Sequence, residues 1–164
     1  MFLNRRVFLF ASLVSAVALA APAAGDAGAL RVVRTYTGWR EAASFKRISE
    51  YFTGRENSGG EIVLRTHPAL RGGYYFLIRL ANPGTPVAAR IVLQVVTPDS
   101  ATPRNFTFDA TLPSHDSVLD LGLTGDDWPD PTVHAVAWRF DVFDGSGQTL
   151  ATGKSYLWDK PAGD

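Results

Sequence analysis

The chain has 164 residues, of which 46% are hydrophobic, and it carries 16 basic and 16 acidic side chains. That length suits one domain, the charge balance excludes a strongly basic nucleic-acid binder, and the apolar content excludes extensive disorder. The absence of cysteine removes disulfides, thiolate metal sites and cysteine nucleophiles together.

Residues 1–25 read as an export signal. Arg5 and Arg6 form a positive n-region, Val7 to Ala20 is uncharged and mostly apolar, and Ala18-Leu19-Ala20 supplies a small-x-small cleavage site. Cleavage after Ala23 or Ala24 is a second option. The uncharged run to Gly25 also permits an uncleaved anchor, against which Pro22 and the alanine-rich tail argue. Asn4-Arg5-Arg6-Val7-Phe8-Leu9 resembles a twin-arginine signal, which implies export of a folded protein. An ordinary secretory signal is the alternative, and both routes imply a bacterial protein of the periplasm or cell exterior. Removing the signal leaves 14 basic and 16 acidic residues, a net charge of −2. The halves differ: residues 26–90 hold 10 basic and 5 acidic residues, and residues 91–164 hold 4 and 11. Such a distribution allows a molecule with a basic patch and an acidic patch.

Residues 26–59 are expected to form a strand and a helix. Arg31 to Tyr36 is the strand candidate. From Trp39 to Phe52 there is no Pro or Gly, and Phe45, Ile48 and Phe52 recur at helical spacing, which predicts an N-terminal amphipathic helix ended by Gly54. Trp39 lies off that stripe.

Residues 60–160 are expected to form the β-sandwich domain. Ile62/Leu64, Tyr74/Phe76/Ile78/Leu80, Ile91/Leu93/Val95, Phe106/Phe108 and Leu119/Leu121/Leu123 alternate with period two, and turn residues separate them. Val133 to Phe143 and Gln148 to Trp158 flank Asp144-Gly145-Ser146-Gly147 and predict a hairpin. Setting Phe143 opposite Gln148 places Phe140 across from Ala151 and Trp138 across from Gly153. Val136, Trp138, Phe140 and Val142 then form the inner face. A one-residue bulge would reverse the faces of the second strand. The number and spacing of strands over residues 60–158 resemble the immunoglobulin-like or fibronectin-like sandwich class, and Trp138 resembles the buried tryptophan of such domains. The cysteines of true immunoglobulin domains are absent.

Chemistry-bearing motifs are sparse. His67, His115 and His134 have no metal-ligand spacing, and adjacent Ser114-His115-Asp116 cannot converge as a triad. Asp126-Asp127-Trp128-Pro129-Asp130-Pro131 is the densest acidic loop, without the glycine and alternation of a calcium loop. The candidate ligand or partner contacts are therefore Trp39, Asp126, Asp127, Trp128 and Asp130. No catalytic residue, metal or cofactor is assigned. The expected function is that of a non-catalytic exported bacterial β-sandwich protein, a structural or protein-interaction module of the periplasm or cell surface. A carbohydrate-binding module using Trp128 or Trp39, or an accessory subunit of an exported enzyme, is the alternative. Neither a nucleic-acid partner nor a membrane span after signal removal is expected.

Overall fold

A computed structural model describes residues 29–159. The expected export signal, residues 1–25, lies outside them. Eight strands form: β1 (Arg31–Arg40), β2 (Ile62–Arg65), β3 (Gly73–Ala81), β4 (Val87–Thr97), β5 (Ser100–Leu112), β6 (Ser117–Thr124), β7 (Ala137–Phe143) and β8 (Thr149–Lys154). They make two four-stranded sheets, ordered β1-β3-β6-β2 and β5-β4-β7-β8. All pairs are antiparallel except β2 with β6. The β4–β5 and β7–β8 hairpins stay within the second sheet, whereas the chain crosses between sheets after β3, β5 and β6.

Period-two alternation turns one face of each strand inward. Phe76, Ile78, Leu119 and Leu121 of the first sheet meet Ile91, Leu93, Phe140 and Val142 of the second, all fully buried. Burying that apolar area is the main stabilising term, at about 25 cal/mol per Å². The opposite face of the first sheet is covered in part by residues 41–61, a segment that follows β1.

That segment contains a short 3-10 turn, Ala42–Phe45, and a helix α1, Ile48–Thr53. Between them Lys46 and Arg47 are extended, so Phe45 does not share a helical face with Ile48 and Phe52. Gly54 ends α1 at φ +65°, a conformation that glycine adopts without steric cost. Trp39 belongs to β1, opposite Tyr74.

The C-terminal hairpin differs from its expected register. Phe140 lies opposite Gly153 and Val142 opposite Ala151, with an irregularity between Val142 and Phe143. The cause is the turn. Asp144 Oδ1 accepts from the backbone N–H groups of Ser146 and Gln148 at 2.8 and 2.9 Å, widening the loop by the bulge. The slip is two residues, so the faces are preserved. A side chain at Gly153 would meet the Phe140 ring at 2.3 Å, so the glycine accommodates Phe140 rather than Trp138. Trp138 is half-buried, stacked on Phe140 at 5.9 Å and edge-on to Phe76 at 6.0 Å. Val136 precedes β7 and is 44% exposed, so it does not join the inner face.

Phe140→Ala should therefore cost about 3–5 kcal/mol, as buried aromatic truncations do, and Trp138→Ala distinctly less. Denaturant titration of the two variants checks the order; an equal or larger loss at Trp138 would contradict the packing.

Candidate docking surface

The structure brings Trp39 and Trp128 to one cleft of about 480 Å³, which Leu70 and Pro129 also line. Trp39 is half-buried, and its indole N–H donates to Glu41 Oε1 at 3.0 Å. Trp128 is only 3% exposed, stacked on Tyr74 at 4.5 Å, and its Nε1–H donates to the Val133 carbonyl at 3.2 Å. The turn Gly125–Asp127 folds the ring inward. Stacked within the core and only 3% exposed, Trp128 lines the cleft without presenting an exposed flat ring.

The loop carboxylates have separate tasks. Asp126 is exposed. Asp127 Oδ1 accepts from Arg104 Nη2 at 3.2 Å, and its Oδ2 lies 3.5 Å from His67 Nδ1. Asp130 accepts from the backbone N–H and hydroxyl of Thr132 at 2.8 and 2.6 Å, which holds its carboxyl below the usual range. Among the described residues no group of three or more His, Asp or Glu converges to hold a metal ion.

A second constellation, which residue spacing does not reveal, covers the outer face of the first sheet. Phe45 is buried against Tyr75, with ring centroids 4.7 Å apart. The guanidinium groups of Arg40 and Arg65 lie over the Phe45 ring at 4.3 and 5.1 Å. The Tyr75 hydroxyl accepts from Arg65 Nε at 2.8 Å and donates to the Arg71 carbonyl at 2.7 Å. Arg65 grips Glu56 with both terminal nitrogens, at 3.1 and 2.5 Å. Arg71 donates to Glu50 at 2.6 Å, and Glu50 also accepts from the Asn57 backbone N–H at 3.1 Å. The Arg71 bond to Glu50 and the Arg65 bond to Glu56 hold both carboxyls below their ordinary values.

This latch reverses the usual orientation of an amphipathic segment. Glu50 and Glu56 turn toward the arginines of the protein, and the apolar residues of α1 face water: Ile48 is 78% exposed, Tyr51 77% and Phe52 86%. At 100° per residue the three fall within about 100° of arc, a single apolar face. No residue of α1 is buried. Exposed Lys46, Arg47 and Arg55 flank this knob. Farther along the same sheet face, Arg34 lies directly opposite Arg79, and Tyr36 is half exposed. Like charges in direct cross-strand register are unfavourable. Arg34 bonds the Tyr36 hydroxyl at 2.6 Å, but among the described residues no carboxylate pairs with Arg34 or Arg79. The second sheet differs: Arg90 pairs with Asp109, Arg104 with Asp127 and Arg139 with Asp141.

Beneath the segment, Asp120 is fully buried. Its Oδ2 accepts from Arg40 Nη1 at 3.2 Å, and its Oδ1 has no hydrogen-bond partner among the described residues. Burial and the nearby Glu61 carboxylate push it up to about 6, against the pull of Arg40 and Arg65. Because the folded-state value is raised, its contribution to stability is fully present below the ordinary value of 3.8 and is lost as pH rises to about 6. The rise corresponds to roughly 3 kcal/mol.

The comparisons with known proteins are few. No family model matches the sequence, and no curated protein matches it. Among solved structures, the chain is similar to an immunoglobulin-like protein from Pseudomonas aeruginosa. The identity is 20%, the match covers 78% of this chain and 96% of that chain, and the TM-score is 0.36. At that score the architecture rests on this chain's own strand order: a mainly β protein of two antiparallel-rich sheets.

Asp120→Asn should stabilise the protein by a margin that grows from pH 4 to pH 6 and is flat above. Glu50 and Glu56 act in the opposite sense, since their values are lowered, so the difference between wild type and variant isolates Asp120. Chemical denaturation at pH 4, 5, 6 and 7.5 measures it; a constant or shrinking margin would contradict the assignment.

Proposed function

We propose that this is a non-catalytic binding module of the immunoglobulin-like or fibronectin-like sandwich class, exported to the periplasm or cell surface, which works by docking. The observation that carries this reading is the inverted segment: Ile48, Tyr51 and Phe52 stand out into solvent while Glu50 and Glu56 are held inward. Exposing three large apolar side chains on one turn forgoes roughly 1.5–3 kcal/mol of burial each, and exposed apolar clusters of this kind mark interaction sites. A non-catalytic role is supported by the ionisable groups themselves. The strongly shifted carboxyl, Asp120, is buried beside Arg40, and the acids of the latch are engaged by arginines. The export signal read from residues 1–25 supports the location. The glycan alternative loses its flat exposed ring at Trp128.

A photo-crosslinking amino acid placed at Tyr51 should give covalent adducts in the producing cells. The same group at Thr107, exposed on β5 of the other sheet, should give none. Equal labelling at both positions, or no adduct at Tyr51, would overturn the docking reading.

A further inference from the structure

We propose that the docking partner is an anionic lipid surface, which the Ile48–Tyr51–Phe52 knob enters while Lys46, Arg55, Arg34 and Arg79 meet the headgroups. This rests on the docking reading above and names its partner. Among the described residues no helix is long and apolar enough to cross a membrane.

Three observations favour lipid. The first is shape. The knob belongs to a helix of six residues with none buried, so it projects from the surface and does not line a groove. A projecting apolar turn suits a soft boundary into which it can sink; interfacial helices place their apolar face about 5–10 Å into the headgroup and acyl boundary. The second is the charge around the knob. Glu50 and Glu56, the acids of the turn and its exit, are neutralised by Arg71 and Arg65 underneath, whereas Lys46 and Arg55 are exposed around it; Arg47 is engaged by the Ser58 carbonyl at 3.2 Å and by Glu61 at 4.0 Å. The third is the Arg34–Arg79 register pair on the same sheet face. An unfavourable like-charge pair without a carboxylate becomes favourable beside phosphate headgroups. Tyr36, whose hydroxyl bonds Arg34, and Tyr51 add amphipathic rings suited to the boundary. The acids of the opposite sheet are paired and face away from this surface.

The test is co-sedimentation of the full chain with vesicles of phosphatidylglycerol and phosphatidylethanolamine, beside vesicles of phosphatidylcholine alone. Every variant keeps the same N-terminus, so differences among them report on this face. Wild type should bind the anionic vesicles, and high salt should weaken the binding. Tyr51→Ser with Phe52→Ser should abolish it without changing the melting curve. Lys46→Ala with Arg55→Ala should weaken it by about thirtyfold, from roughly fivefold for each basic residue near an anionic surface. No binding to anionic vesicles overturns the proposal, as does binding that survives loss of Tyr51 and Phe52. Protein adducts from position 51 without vesicle binding would overturn the lipid partner and leave the docking reading intact. Dimerisation lost in the same double variant, again without vesicle binding, would replace lipid by a second copy of the chain.

Discussion

The orientation of residues 41–61 depends on two arginines that reach up from the sheet side of the molecule. Arg65, on the edge strand β2, grips Glu56, and Arg71 grips Glu50. Neither pair is a simple exposed ion pair, since the Arg65 side chain is 6% exposed and the Glu50 side chain 10%. The bidentate Arg65–Glu56 pair is geometrically specific, and removing one partner of either pair strands the other charge. Phe45 adds an apolar footing on Tyr75, held between two guanidinium groups. With Glu50, Glu56 and Phe45 committed inward, the large side chains that the six-residue helix presents to water are Ile48, Tyr51 and Phe52.

The charge asymmetry between the halves of the sequence gains a physical meaning here. The basic half supplies β1, β2, β3 and the segment over them, and the acidic half supplies β5 to β8. On the second sheet the arginines find aspartates across or along strands. On the first sheet Arg34 and Arg79 face each other, and the one carboxylate of β6 on that face, Asp120, is buried under Arg40. One side of the sandwich is electrostatically satisfied, and the other retains positive charge around an apolar knob.

Much of the fold was legible because a half-buried strand leaves a period-two signature. Tyr74 to Leu80, Ile91 to Val95 and Leu119 to Leu123 all mark strands whose alternate residues enter the core. The hairpin register was less legible, because Asp144 sets the bulge through its own side-chain bonds, a choice that alternation does not encode. The exposed apolar knob was not legible at all. Phe45, Ile48 and Phe52 fit one helical stripe, but extended Lys46 and Arg47 divide it, leaving Phe45 buried and the other two in solvent. What decides the outcome is the engagement of Glu50 and Glu56 with arginines 21 and 9 residues away, and pairing at that distance has no local signature. Trp128 shows the same limit: a loop tryptophan reads as a contact until its stacking partner, Tyr74, is known.

The outward turn of Phe52 is open to ¹⁹F NMR of protein labelled with fluorophenylalanine throughout, with a soluble paramagnet added. The Phe52 fluorine should give a narrow resonance near the free amino-acid position, strongly relaxed by the paramagnet, while the core fluorines are unaffected. A shifted resonance at Phe52, shielded from the paramagnet as the core fluorines are, would show the ring packed inward and rule this orientation out.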